Sequence, residues 1–240
     1  MICDFMPVSL VDYPGCVAAT VFVAGCNFRC PYCHNSSIIG GTGSLLHDSP
    51  GGYEPGEIID CLADRKKLID GICITGGEPT LWQGLKDFAA AIKAEGFKVK
   101  LDTNGSRPEV LREILEQGLV DYVAMDVKAP VYMYSLFAPD EEDILNVQKS
   151  VDIIMLHGDF GGKIDYEFRT TVHEKILGLH DIEEIGRWLS GAKRYVLQGY
   201  KYSPGVLDED FCGTKPCDVT FLKKASAVIS KHFKEVLIRS

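Results

Sequence analysis

The chain has 240 residues, of which 46% are hydrophobic and 25% are charged, and its formal net charge is -9. This length and composition are those of a globular protein with one sizeable hydrophobic core. Nucleic acids are bound through clusters of Lys and Arg, and no such cluster stands out in this acidic sequence. We therefore expect no nucleic-acid partner.

The first 14 residues lack a basic segment followed by an apolar one, so we expect no secretory signal. The longest apolar stretch, residues 16–25, is far shorter than a bilayer span. These features predict a cytoplasmic protein without a membrane partner. In a reducing compartment, its nine cysteines indicate metal ligands, redox groups or core residues and not a disulfide framework.

Short apolar segments alternate with helical patterns along the chain. Six segments predict buried strands, at residues 18–24, 71–75, 98–103, 122–127, 166–172 and 194–198. Helical patterns lie at residues 58–63, 85–92, 106–118, 181–189 and 218–233. In the third of these, Ser106 and Glu109 predict a capping box, and Asp181 with Glu184 marks the start of the fourth. The alternation predicts an α/β fold with a parallel sheet, open or closed into a barrel, and with function at the carboxyl ends of its strands.

No repeat or linker divides the sequence, so we expect a single domain at residues 1–240. Its core is predicted at about residues 16–200, and a helical C-terminal extension at residues 201–240. Residues 40–55 are rich in Gly, Ser and Pro, which predicts a surface loop.

Three cysteines, Cys26, Cys30 and Cys33, directly follow the first predicted strand with the spacing C-x-x-x-C-x-x-C. Three thiolates on one short loop can hold an iron–sulfur cluster and leave one metal position open for another ligand. A closed zinc site is an alternative, and the candidates for its fourth ligand are His34, Cys16, Cys61 and Cys73. A redox dithiol of Cys30 and Cys33 is a further alternative, but it leaves Cys26 unexplained.

With Tyr32 placed before its last cysteine, this loop resembles that of the radical SAM superfamily. The resemblance implies that Cys26, Cys30 and Cys33 hold a [4Fe–4S] cluster whose open iron position binds S-adenosylmethionine (SAM) through its amino and carboxylate groups. It also implies that the reduced cluster gives one electron to the sulfonium, which splits SAM into methionine and a 5′-deoxyadenosyl radical. In this family the backbone at the position of Tyr32 contacts the adenine.

Gly76, Gly77, Glu78 and Pro79 follow the second predicted strand. Two glycines allow the backbone to approach a ligand closely, and a carboxylate can accept hydrogen bonds from an ammonium group. An ordinary strand-to-helix turn would use the same residues. The segment resembles the family's GGEP motif, and this implies that Gly76, Gly77 and Glu78 bind the methionine amino group of SAM.

Polar residues also end the next two predicted strands. Asp102, Thr103 and Asn104 end the third, and Asp126 and Lys128 end the fourth. Turn chemistry and a salt bridge explain each residue equally well when it is taken alone. Together they resemble the glycyl-radical-enzyme activases of the superfamily, in which such segments surround SAM. In some members the two aspartates and the threonine also hold a monovalent cation, and Lys128 could pair with a carboxylate of SAM.

Arg169 lies among apolar neighbours in the fifth predicted strand, and a buried Arg needs a partner. It could lie near the ribose or the carboxylate of SAM, or it could be an outward-facing structural residue. Both interpretations remain open at this point.

Several motifs in chain order resemble one group of activases in particular. These are VSLVDYPG, CNFRCPYCHN, ITGGEPTL, KLDTNG, VDYVAMDVKAP, FRTTVHE and YVLQ, within residues 8–200. They strongly resemble the longer type of anaerobic ribonucleoside-triphosphate reductase activating protein. The resemblance implies a partial (β/α)6 TIM-like barrel, a glycyl-radical enzyme as the protein substrate, and a reduced flavodoxin or ferredoxin as the electron donor.

Too few cysteines lie between the triplet and the glycine pair for a ferredoxin-like insertion, so we expect a single cluster. Cys61 and Cys73 are predicted to be core residues. Cys212 and Cys217 could form half of a further metal site, but two cysteines do not identify a metal.

Two other functions remain open. A radical SAM enzyme that acts on a small molecule, such as a 7-carboxy-7-deazaguanine synthase, is the first alternative. A non-catalytic iron–sulfur or zinc protein is the second. Formation of a radical on a partner protein would separate the activase from both.

Overall fold

The computed structural model describes residues 1–40, 52–160, 162–202, 205–211 and 214–240. One eight-stranded sheet runs through these ranges, and its strands lie in chain order. The strands are β1 (Ile2–Ser9), β2 (Ala18–Val23), β3 (Gly71–Gly76), β4 (Lys98–Thr103), β5 (Tyr122–Asp126), β6 (Asp165–Val172), β7 (Arg194–Gly199) and β8 (Glu235–Arg239). The helices are α1 (Pro55–Ala63), α2 (Leu85–Ala94), α3 (Pro108–Glu116), α4 (Glu141–Met155), α5 (Leu179–Trp188) and α6 (Val219–Ile229).

Strands β2 to β8 are parallel, and one of the six helices lies between each pair of consecutive strands. Strand β1 pairs with β2 in the antiparallel direction. The predicted parallel α/β sheet is therefore confirmed, with six β/α units from β2 to α6. All six predicted strands are present, and their bounds agree with the predicted ones to within one residue.

Two strands at the sheet edges were not among the predicted ones. Strand β1 lies in a segment interrupted by Asp4 and Pro7, and the sequence pattern there does not alternate cleanly. The C-terminal extension contains α6, as expected, but it also contains β8, which pairs with β7. The prediction of a purely helical extension is therefore incomplete, because a five-residue edge strand gives only a short pattern.

Two predicted helix starts were wrong, and α4 was not predicted. Ser106 does not cap α3, because its hydroxyl donates to Asn27 Oδ1 (3.2 Å) and Pro108 takes the first helical position. Helix α5 begins at Leu179, earlier than Asp181, and the carboxylate of Asp181 accepts from the backbone N–H of Gly178 (2.8 Å). Both differences arise because these side chains form hydrogen bonds with partners that cannot be predicted from the spacing of residues along the sequence.

The strands alternate between an apolar face and a polar face. On β4, Val99 and Leu101 pack into the main core beneath the helices. Lys100 and Asp102 point the other way, to the concave interior of the sheet, where they line a cavity together with residues of β6. The core therefore lies between sheet and helices, and the interior of the partial barrel is charged. No helix in the described part of the chain is long and apolar enough to cross a membrane.

The described ranges leave two predictions untested. Most of the predicted loop at residues 40–55 lies outside them, although Tyr53 forms an isolated β-bridge with Ile2. Cys212 also lies outside the described residues, so the predicted half-site with Cys217 stays a prediction. Cys73 is fully buried and Cys61 is partly buried against the core, as expected for both.

Candidate functional site

The cysteine loop leaves the carboxyl end of β2 and lies at the mouth of the barrel. Its backbone is fixed at its start by the Gly25 N–H to Ile38 oxygen bond (2.8 Å) and near its middle by the Arg29 N–H to Phe137 oxygen bond (2.8 Å). A tight turn joins Cys30 and Cys33, in which the N–H of Cys33 donates to the oxygen of Cys30 (3.0 Å). This folding turns all three cysteines of the predicted cluster toward one cavity of about 280 Å³.

Burial controls the chemistry of these thiols. It raises the pKa of Cys26 to about 12 and of Cys30 to about 11, and it also raises the pKa of Cys33. The thiols are therefore neutral until a metal replaces their protons. Among the described residues, no group of three His, Cys, Asp or Glu side chains could hold a single metal ion. In a [4Fe–4S] cluster each cysteine binds a different iron, so the thiolates need not converge on one point.

The glycine pair brings the end of β3 next to this loop. A Cβ atom on Gly77 would lie 2.1 Å from the backbone oxygen of Gly25, and Gly76 has a φ of +119°. The backbone N–H of Glu78 donates to the oxygen of Gly25 (2.8 Å), and the Asn35 amide donates to the oxygen of Gly76 (2.7 Å). Only glycine permits this close approach, which places Gly76 and Gly77 in the wall of the cavity.

Glu78 itself does not line the cavity. Its side chain is fully buried, and it accepts from the Thr103 hydroxyl (2.8 Å) and from the backbone N–H groups of Asn104 (2.6 Å) and Thr80 (3.1 Å). Burial raises the pKa of Glu78, although these hydrogen bonds oppose the shift. The carboxylate therefore ties the end of β3 to the end of β4.

Five charged side chains form a chain across the polar face of β4, β5 and β6. Arg169 bridges both carboxylates, with Nη1 3.1 Å from Asp102 Oδ2 and Nε 2.8 Å from Asp126 Oδ1. Lys128 Nζ donates to Asp126 Oδ2 (2.9 Å), and Lys100 Nζ donates to Asp102 Oδ1. We call these five residues the upper network. Arg169 therefore faces inward, which resolves the alternative that the sequence left open.

The neighbouring charges keep this network ionised despite its burial. Burial would raise the pKa values of Asp102 and Asp126, but Arg169 and the two lysines hold both below their ordinary values. Burial would likewise lower the pKa values of Lys128, Lys100 and Arg169, but the carboxylates hold all three above their ordinary values. The network carries two negative and three positive charges, so it favours an anionic group in the cavity.

The structure brings twelve of the thirteen sequence-predicted residues to one cavity, and Glu78 is the exception. The twelve are Cys26, Cys30, Tyr32, Cys33, Gly76, Gly77, Asp102, Thr103, Asn104, Asp126, Lys128 and Arg169. Asn35, Thr75 and Thr171 also line it and were not predicted. The position of Asn35 directly after the cysteine loop is a signal that could have identified it, whereas Thr75 and Thr171 look like ordinary strand residues.

The side chains of the cavity fit an iron–sulfur cluster and SAM. Three thiols supply the soft donors, and a net positive network lies beside them for a carboxylate. The hydroxyl of Tyr32 is buried without a hydrogen-bond partner among the described residues, so a polar atom of a ligand could complete it. Among the candidates for the fourth ligand of the alternative zinc site, His34 lines this cavity, whereas Cys16 lines a different cavity near Tyr13 and Lys98.

Known proteins are similar to this chain in sequence. The model of the radical SAM superfamily matches residues 20–150. A Methanocaldococcus jannaschii protein named "putative glycyl-radical enzyme activating enzyme" is 33% identical over 248 residues, which cover 100% of this chain and 96% of that protein. A 7-carboxy-7-deazaguanine synthase of Methanopyrus kandleri is 32% identical over 126 residues, 47% of this chain and 49% of that one.

Among solved structures, Streptococcus suis SuiB bound to S-adenosylmethionine has a TM-score of 0.65 and 12% identity. The likeness covers 90% of this chain and 48% of SuiB, so the chain spans about half the length of that protein. At this identity the likeness concerns the fold alone, and it confirms the predicted partial barrel.

Proposed function

Because the chain belongs to the radical SAM superfamily, we propose that it cleaves SAM and uses the resulting radical to activate a glycyl-radical enzyme. The observation that carries this proposal is the cavity in which three cysteines meet the charged ends of β4, β5 and β6. The full-length similarity to a protein with an activase name supports this function over that of a 7-carboxy-7-deazaguanine synthase, whose similarity covers about half of the chain.

The finer identity of the partner rests on the sequence motifs. Their order resembles the activating proteins of anaerobic ribonucleoside-triphosphate reductase, so we infer that the substrate is a glycine of such a reductase. A reduced flavodoxin or ferredoxin would supply the electron. Both assignments are proposals, and mixing the protein with an anaerobic ribonucleotide reductase tests the first of them.

The residues of the cavity have distinct roles in this proposal. Cys26, Cys30 and Cys33 would hold the cluster, and Lys128 with Arg169 would orient the carboxylate of SAM. When bound, the reduced cluster and SAM would supply one-electron cleavage of a carbon–sulfur bond and removal of a hydrogen atom from the glycine. The protein orients the reacting atoms and limits side reactions.

A monovalent cation, which the resemblance also implies, does not fit this site. Each of the four carboxylate oxygens of Asp102 and Asp126 already accepts from a positively charged side chain. The hydroxyl of Thr103 donates to Glu78 and accepts from the backbone N–H of Gly105 (3.0 Å). The proposed function therefore includes no such ion.

The first experiment tests SAM cleavage. The protein is reconstituted with iron and sulfide without oxygen, reduced with dithionite and mixed with SAM, and 5′-deoxyadenosine is measured by chromatography. We expect the product from the wild type and from Cys61→Ala, whose cysteine lies on α1 outside the cavity. We expect none from Cys30→Ala, which also should lose iron. Tetrahedral zinc with four protein ligands at this loop would refute the proposal.

The second experiment tests the substrate class. The reduced protein and SAM are mixed with an anaerobic ribonucleotide reductase, and electron paramagnetic resonance detects a glycyl radical. A glycyl radical that depends on Cys30 supports the activase. Formation of 5′-deoxyadenosine without any radical on this or another glycyl-radical enzyme would favour a small-molecule substrate.

A further inference from the structure

Lys100 is a buried cation that the proposed catalytic roles do not use. It lies on β4 two residues before Asp102, and only 2% of its side chain is exposed. Its ammonium donates to Asp102 Oδ1 and lies 3.4 Å from the sulfur of Cys73. An isolated ammonium would not remain charged at such a depth, but the carboxylate of Asp102 holds the pKa of Lys100 above its ordinary value.

The partners of Asp102 define what this ammonium does. The second oxygen of Asp102 accepts from Arg169 (3.1 Å) and from the Thr75 hydroxyl (3.3 Å). Without Lys100, the oxygen Oδ1 would lose its cationic donor and keep its negative charge. An alkali-metal ion could then replace the ammonium at Oδ1, because a Lys ammonium and an alkali ion are both compact single positive charges.

The surrounding charges oppose a metal ion while Lys100 is present. Three cations already surround two carboxylates, and largely buried charges are screened less than exposed ones. An added sodium or potassium ion would meet a net positive environment. The positive side chains of the upper network therefore already balance the charges of Asp102 and Asp126. These are the two carboxylates that, by the family resemblance, would bind a monovalent cation.

We propose that the ammonium of Lys100 takes the place of a monovalent metal cation at Asp102, so that SAM binding and cleavage by this protein need no sodium or potassium. The inference rests on the proposed function for its activity readout, since it concerns the same site. Replacing Lys100 by Met removes the charge and keeps most of the length of the side chain, and it should convert the site into one that requires an added cation.

The test compares salts. Reconstituted wild type and Lys100→Met are measured in choline chloride, sodium chloride and potassium chloride at equal ionic strength, for SAM affinity and for 5′-deoxyadenosine formation. We expect less than about twofold differences among salts for the wild type. For Lys100→Met we expect SAM affinity to fall about tenfold in choline and to recover in sodium or potassium.

Lys98→Met is the matched control. It removes the same charge from the same strand, but Lys98 is exposed and lies at the other end of β4 near Cys16. This variant should behave like the wild type in every salt. A saturable requirement of the wild type for sodium or potassium would overturn the proposal, and so would a loss in Lys100→Met that no cation restores.

A readout without catalysis separates this inference from the proposed function. Crystals are soaked in rubidium or thallium salts, and anomalous density is sought beside Asp102 Oδ1, the atom that accepts from Lys100. We expect none in the wild type and a peak in Lys100→Met, whereas a peak in the wild type would refute the substitution. If no condition yields 5′-deoxyadenosine, the proposed function fails, but the crystal result still decides the role of Lys100.

Discussion

Two charged networks lie in the interior of the same barrel, and they differ in the groups that lie beside them. The upper network faces three cysteines across a cavity. The lower network consists of Tyr122, Asp165 and Arg194 at the amino ends of β5, β6 and β7, of Glu167 within β6 and of Arg239 at the carboxyl end of β8. There Arg239 donates to both oxygens of the fully buried Glu167 (2.9 Å each), and Tyr122 donates to the same carboxylate (2.9 Å).

The comparison shows that neither buried charge nor cavity volume identifies a site. The cavity bordered by the lower network is about 560 Å³, larger than the 280 Å³ at the upper one. The lower network fastens β8 to β6 and, through β6, to β5, because Arg239 of β8 donates to Glu167 of β6, which also accepts from Tyr122 of β5. The upper network is distinguished by its place at the carboxyl ends and by the cysteine loop beside it.

The largest effect should come from Glu167→Gln in the lower network. Glutamine cannot neutralise Arg239, which is 40% exposed, so part of the cost is relieved by water. We expect the free energy of unfolding to fall by about 3 kcal/mol, measured by urea denaturation of the cluster-free protein. The affinity of the reconstituted variant for SAM should remain close to that of the wild type.

Glu235→Gln is the control for that change. Glu235 also lies at β8 and pairs with Arg194 (2.6 Å), but its side chain is 47% exposed. Its loss should lower the free energy of unfolding by about 0.5 kcal/mol. If Glu167→Gln reduced the free energy of SAM binding by as much as it reduces the free energy of unfolding, the two networks would not be functionally separate.

The second prediction concerns Lys128→Met in the upper network. Lys128 lines the cavity, and its partner Asp126 retains Arg169 when the lysine is lost. The variant should therefore fold, while the charge-assisted hydrogen bond to the carboxylate of SAM is missing. We expect the dissociation constant for SAM to rise about 30-fold, or about 2 kcal/mol, by equilibrium binding to the reconstituted protein.

Lys193→Met provides the comparison at the lower end. Lys193 pairs with Asp165 (2.6 Å), and both side chains are substantially exposed. Its replacement should leave the dissociation constant for SAM unchanged. Equal weakening by both lysine variants would indicate a general effect of net charge and would contradict a specific role for Lys128.

Local motifs account for the parts of this molecule that the sequence could predict. The cysteine spacing, the glycine pair and the polar strand ends are contiguous, and the strands that carry them meet at one edge of a parallel sheet. Twelve predicted residues therefore share a cavity. Glu78 belongs to the same motif, but its carboxylate accepts hydrogen bonds from Thr103 and Asn104 and does not line the cavity. Its direction depends on these contacts in the folded protein, which the motif does not predict.

Long-range pairing accounts for what the sequence could not predict. The direction of Arg169 depends on Asp102 and Asp126, which lie on two other strands. The position of β8 depends on backbone pairing with β7 and on the contact between Arg239 and Glu167, 72 residues earlier. Spacing along the chain carries no information about such partners, and a short edge strand gives too few residues for a periodic signal.

The smallest expected effect tests how the upper end is held together. The Asn27 amide donates to Asp143 of α4 (2.9 Å), and its oxygen accepts from the amide of Asn104 (3.1 Å) and from Ser106 (3.2 Å). It therefore connects the cysteine loop to the end of β4 and to α4. We expect Asn27→Ala to lower the free energy of unfolding by about 1 kcal/mol and to reduce the iron retained after reconstitution.

Asp70→Ala is its counterpart at the lower end. Asp70 Oδ2 accepts from the backbone N–H of Val17 (2.9 Å), just before β2, and has no hydrogen bond to the cysteine loop among the described residues. A similar loss of stability with full iron content in Asp70→Ala, against reduced iron in Asn27→Ala, would show that Asn27 positions the loop. Equal iron content in the two variants would contradict a positioning role for Asn27, because the loss of stability alone would then explain both results.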